Sequence, residues 1–179
     1  MTSRPVLVAG LLGFLLGACS LFPERPPRPA VHDFGPSPPG QGAAVTVDAP
    51  EWLQDDRIRY RLLYDDPTQV RYYTLDRWVA PPALLLARRL ESIDSHGMRP
   101  HVQLLEFEQV FESAARAHAL AVLRVSATLP GSREVRSETV VLEQPTPTPD
   151  AAGAVSACAA LAEQAVRRVG ALLADWAER

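Results

Sequence analysis

The sequence predicts a two-layer α+β domain, β-β-β-α followed by β-β-β-α, with an antiparallel-rich sheet and both helices on one face. Three observations predict it. Ala119, Ala121, Leu123, Val125, Ala127 and Leu129 form a period-two stripe, the signature of a half-buried strand. Cys158, Ala162, Ala165, Val169, Leu172 and Trp176 recur four and three apart, which gathers them on one face of a long helix. Pro81-Pro82 opens a second amphipathic segment, because proline's missing N–H has no partner to lose in a helix's first turn. Either half alone is too small to bury a core, so the two halves share one sheet.

Residues 44–179 carry this domain. Val45 and Val47 alternate with polar residues in a strand closed by Pro50. Next, Ile58, Tyr60, Leu62 and Tyr64 lie on one strand face, with Arg57, Arg59 and Arg61 opposite. Asp65-Asp66-Pro67 reads as a turn, and Gln69 to Leu75 as the returning strand. The proline-led helix then places Leu86, Leu90 and Ile93 toward the core and Arg88, Arg89, Glu91 and Ser92 toward water, with Gly97 as its stop. Val102 to Phe111 is strand-like, with Leu105, Phe107 and Phe111 on one side. Pro130-Gly131-Ser132 turns the long stripe back into a strand over Arg133 to Leu142. A proline linker, Pro145-Thr146-Pro147-Thr148-Pro149, precedes the final helix, expected from about Asp150 to Ala177.

The N-terminus decides the compartment. Arg4 is followed by an uncharged apolar run from Pro5 to Ala18, 14 residues. A membrane-spanning helix needs about 20, so the run fits the h-region of a secretory signal over residues 1–18. Leu16-Gly17-Ala18-Cys19 has the form of a bacterial lipobox: small residues let a peptidase approach the scissile bond, and the thiol takes diacylglycerol, followed by an N-acyl lipid such as palmitate. Several acyl chains hold a protein firmly where one does so only marginally. Ser20, standing where Asp would retain the protein at the inner membrane, directs it to the outer membrane, facing the periplasm. Residues 19–43 then form a tether. Its segment Leu21–Pro29, nine residues of which four are proline, reaches about 28 Å in polyproline II form. A short strand is expected near His32-Asp33-Phe34-Gly35.

Composition narrows the function. All 18 basic residues are arginine, against 21 acidic ones. Removing the leader removes Arg4, leaving 17 against 21, or −4. No basic patch of the kind nucleic acid demands is visible. Cys158 is the one cysteine besides Cys19, so after lipidation no intramolecular disulfide, zinc cluster or redox pair can form. Neither a G-x-S-x-G nucleophile elbow nor a phosphate-binding glycine loop occurs. His32, His96, His101 and His118 fall in different elements without ligand spacing, so no metal and no cofactor is expected. Glu106 and Glu108 share a strand face, but read as its solvated side rather than an acid–base pair. The Arg57, Arg59, Arg61 stripe is either a solvated sheet face or an interface with an acidic partner or lipid headgroups. Trp78 reads as a core aromatic between sheet and first helix, and Cys158 as a buried small hydrophobe.

Several pieces in fixed order carry a resemblance: His32-Asp33-Phe34-Gly35, Trp52-Leu53 ahead of Ile58-Arg59-Tyr60-Arg61, Tyr72-Tyr73, Arg77-Trp78 with Pro81-Pro82, Phe107-Glu108-Gln109-Val110-Phe111, and the terminal helix from Asp150 to Trp176. Together they resemble the ABC-type transport auxiliary lipoprotein component family, the PqiC/YmbA-like lipoproteins of MCE-type transport systems. The resemblance implies a fold like the amino-terminal domain of TolB and a non-enzymatic subunit. It implies partners too: an MCE-domain substrate-binding protein with its ABC permease and ATPase, in systems that move lipids or other hydrophobic molecules. A homo-oligomeric ring is a further implication. The alternative is a stand-alone outer-membrane or peptidoglycan-associated envelope assembly lipoprotein.

Overall fold

The computed structural model describes residues 27–36 and 45–179. Its sheet contains β1 (Ala30–His32), β2 (Thr46–Asp48), β3 (Arg57–Leu62), β4 (Asp66–Trp78), β5 (Arg99–Ser113), β6 (Arg116–Thr128) and β7 (Val135–Pro145). Helix α1 (Pro82–Leu90) follows β4 and helix α2 (Ala151–Glu178) follows β7. The strand order is β1-β4-β3-β5-β6-β7, and β2 also pairs with β5. The α+β expectation therefore holds, and the short strand expected near His32-Asp33-Phe34-Gly35 lies slightly earlier, at Ala30–His32, as an added strand of the first half.

The long hairpin β5-β6 is the centre. Its antiparallel register runs from Arg99↔Thr128 to Ser113↔Arg116, and β7 extends it through His118↔Pro145 to Thr128↔Val135. The predicted stripe of β6 is buried at Ala119, Ala121, Leu123, Val125 and Ala127. On the other flank of β5 two strands follow one another, both parallel to it. β2 meets it at Thr46↔His101 to Asp48↔Gln103, and β3 at Tyr60↔Gln109 to Leu62↔Phe111. A single 3-10 turn, Glu51–Leu53, joins the two. The short strand β1 pairs parallel with the end of β4, beginning right after Pro29.

Both helices pack on one face. α2 lies on β6 and β7, while α1 lies on β2 and touches α2. Asp150 caps α2: its carboxylate accepts from the Gly153 amide at 2.8 Å and from the Thr148 hydroxyl at 2.6 Å. These bonds hold the Asp150 carboxyl below its usual range, the hydroxyl contributing most. Gly153 is required here, since a Cβ would stand 1.9 Å from the Thr148 carbonyl oxygen. All six predicted stripe residues of α2 are buried.

Three expectations are corrected. First, α1 ends at Leu90, so Ile93 is buried from the turn beyond it. Gly97, at φ +74°, serves that later turn into β5 and not a helix stop. Second, Arg89 faces the interior: its guanidinium donates to the Phe34 carbonyl and to Glu163, linking the residues after β1 to both helices. A helical wheel places Arg89 beside Leu86 and Leu90; charge alone argued for water, and partners 55 and 74 residues away supply the compensation. Third, a β-bulge between Leu104 and Glu106 shifts the side-chain phase of β5, so Leu104 rather than Leu105 joins Phe107 in the core.

Trp78 lies where sheet and β1 segment meet. Its ring is 1% exposed and packs edge-on against Phe34 at 5.2 Å and beside Phe107 at 6.2 Å. The core reading of Trp78 is correct, and Phe34 completes the cluster.

Candidate functional site

With both helices on one face, the opposite face of the sheet is left for other contacts. The register places Arg59 and Arg61 of β3, Tyr72 of β4, Glu106 and Glu108 of β5, and Val122 and Val141 of β6 and β7 on it. The three arginines of the predicted stripe have different surroundings. Arg57 is exposed; its guanidinium lies 3.8 Å over the Tyr72 ring and donates to Asp55 at 2.7 Å. The Asp55 hydrogen bond raises the Arg57 pKa above its usual value.

Arg61 donates from Nε and Nη2 to the two oxygens of Glu108, at 2.9 and 3.3 Å, and from Nη1 to the Pro67 carbonyl at 2.9 Å. The Glu108 bond raises its pKa. Arg59 is buried, with Nη1 donating to the Trp52 carbonyl at 3.3 Å and Nη2 4.0 Å from Glu108. Its Nε has no partner among the described residues. Glu108 therefore sits between two guanidiniums and is 5% exposed, which corrects the expectation that Glu106 and Glu108 share a solvated side. Sequence reasoning missed this triad because Glu108 lies 47 residues beyond Arg61, on a strand that pairs with β3 only after the chain has passed through β4 and α1.

Glu106 has a different setting. With Asp48, Ala49, Pro50, Trp52, Gln103 and Leu105 it lines a cleft of about 400 Å³. Trp52 projects from the 3-10 turn and is 57% exposed, while Leu53 beside it is buried. The signal in the sequence was Trp52 itself, a large aromatic in an otherwise polar segment.

The remaining candidates are dispersed. Tyr60 and Tyr73 stack at 4.7 Å, with Phe111 against Tyr60 at 5.9 Å. The Tyr73 hydroxyl donates to Gln109 Oε1 at 2.6 Å, and burial followed by the neighbouring Tyr60 pushes its pKa up. Each histidine has its own carboxylate: His32 with Asp76, His96 with Asp94, His101 with Asp48, His118 with Glu112. No group of three or more metal-capable side chains gathers among the described residues. Cys158 is buried, and burial pushes its thiol up to about 12, which suppresses the thiolate that reaction would need. Cys19 and Ser20 lie outside the described residues.

No family model and no curated protein matches the chain. Solved structures do. The chain is similar to protein XCC0632 from Xanthomonas campestris, described as DUF330, with a TM-score of 0.61 and 18% identity over 82% of this chain and 92% of that one. It is also similar to an uncharacterized protein, with a TM-score of 0.65 and 10% identity over 82% of this chain and 99% of that one. At these identities the likeness establishes a shared fold.

Proposed function

We propose that this protein is a lipid-anchored, periplasm-facing, non-catalytic auxiliary subunit of an ABC/MCE-type envelope transport system for lipids or other hydrophobic molecules. The observation that carries the reading is one order along the chain: apolar leader, Leu16-Gly17-Ala18-Cys19, proline tether, then a single α+β sheet. Its fold is shared with a DUF330 structure, and DUF330 is the PqiC/YmbA-like family, which agrees with the resemblance carried by the sequence.

The mechanism is mechanical. Acyl chains on Cys19 hold one end in the outer membrane, and the tether sets the reach. Beyond it, β1 docks on β4, Phe34 enters the core and Arg89 grips the Phe34 carbonyl. Load on the anchor therefore reaches the core rather than a free end. The Arg57–Tyr72 corner is the accessible part of the arginine stripe and is assigned to the partner or lipid-headgroup interface.

Crosslinking in intact membranes followed by purification of the full-length protein tests the reading. An MCE-domain protein and its permease are the expected co-purifying species. Recovery of peptidoglycan or outer-membrane assembly proteins in their place contradicts it.

A further inference from the structure

We infer that the turn between β3 and β4 rests on the membrane surface, with Leu63 and Tyr64 entering the headgroup–acyl boundary of a zwitterionic bilayer. The inference deepens the proposed function and takes one thing from it, the acylation of Cys19.

Direction is the first observation. β1 runs parallel to β4, and Val31 and Arg57 share the register partner Arg77, so both stand at one height in the sheet. The chain entering β1 therefore comes from the side of the β4 start, where Leu62 pairs with Asp66. Leu62 lies five steps along β3 from Arg57, about 17 Å at the rise of a strand. Cys19 lies 12 positions before Val31, a reach of about 37 Å in polyproline II form. The anchor point can pass this end of the sheet by no more than about 20 Å. So short a link keeps the end at the bilayer at an effective concentration on the order of millimolar, where a weak contact suffices. Arg57, about 17 Å higher, is then left to a protein partner.

The make-up of this end is the second. Leu63 is 44% exposed and Tyr64 51%, and among the described residues they are the one pair of exposed large apolar side chains consecutive in sequence. The Leu63 amide donates to the Phe111 carbonyl at 2.9 Å, which fixes the turn to β5. The turn from β5 into β6 sets Ala114 and Ala115, both exposed, at the same end. Tyrosine suits a membrane interface because its ring is apolar while its hydroxyl keeps water.

Charge selects the lipid. Asp65 pairs with Arg71, and Glu112 with Arg116 and His118. Arg61 reaches the Pro67 carbonyl but is paired with Glu108. Asp66, Glu143 and the α2 cap Asp150 make no ion pair among the described residues, and Arg28, ahead of β1, offsets one of them. The remaining acidic excess repels anionic lipid and suits the outermost ammonium groups of a zwitterionic one. The contact is therefore apolar in origin and scales with the apolar area buried.

Protein purified from membranes with its native acyl groups and reconstituted in phosphatidylcholine vesicles tests the contact. With Cys19 acylated and Cys158 buried, a single added cysteine takes a fluorescent label. Ala115→Cys places it at this end, and Arg133→Cys in the turn between β6 and β7, at the other end of the sheet. Nitroxide-bearing phosphatidylcholine should quench the label at 115 and spare the one at 133. Leu63→Ser combined with Tyr64→Ser should lower the fraction in contact about tenfold, the gain from burying a half-exposed leucine and tyrosine. Added phosphatidylglycerol should not strengthen it. Equal quenching of the two labels, unchanged quenching at 115 in the folded double variant, or contact that needs phosphatidylglycerol overturns the inference. Acylated protein whose end is not quenched does so and leaves the proposed function standing; a native chain without acyl groups removes both.

Discussion

Trp78→Ala should destabilise the domain by roughly 3–5 kcal/mol, the range for deleting a large buried aromatic. For a domain of this size that is a fall in Tm of roughly 10–15 °C. The indole is 1% exposed and contacts both Phe34 and Phe107, so its removal leaves a cavity the core cannot easily close. A second consequence follows from Phe34. Its ring comes from the residues just after β1, so the cavity opens beside the aromatic that fixes that segment. Amide exchange in residues 30–34 should rise more than in β7, which lies two strands away from Phe107. Thermal melting and hydrogen exchange check both parts, and an unchanged Tm would place the indole outside the core.

Glu108→Ala should cost roughly 3 kcal/mol. Breaking a buried ion pair typically costs 3–5 kcal/mol, and the low end applies because Arg61 keeps some access to water. The loss has little to do with the net value of the pair. It arises because Arg59, buried and with an orphan Nε already, is left beside Arg61 with no counter-charge. The double variant Arg59→Leu with Glu108→Leu should therefore lose less than Glu108→Ala alone, since apolar replacement removes the buried stranded charge while Arg61 keeps water and the Pro67 carbonyl. Urea midpoints of the three proteins decide it; a double variant weaker than the single one contradicts this account.

What was legible in the sequence had a strict period. The alternation of β6 and the 4-3 spacing of α2 survive intact because nothing interrupts the phase of either element. β5 defeated the same reasoning: one bulged residue, Leu105, reverses which side chains face the helices, and no local pattern marks it. Arg89 and Glu108 were misplaced for a related reason. A charged residue is taken to be outside until a partner is known, and here the partners come from distant strands and helices. The arginine stripe was correctly gathered on one strand, but only the fold reveals that Arg59 and Arg61 are engaged by Trp52, Pro67 and Glu108 while Arg57, paired with its neighbour Asp55, stays exposed.

The proposed anchored, accessory character of this protein stands or falls at its N-terminus. Intact mass spectrometry of the native protein extracted from membranes is expected to find a chain beginning at Cys19, carrying diacylglycerol and an N-acyl group, with Cys19→Ser accumulating as unacylated precursor. A native chain that keeps Met1, or one cleaved elsewhere and free of acyl groups, would contradict it.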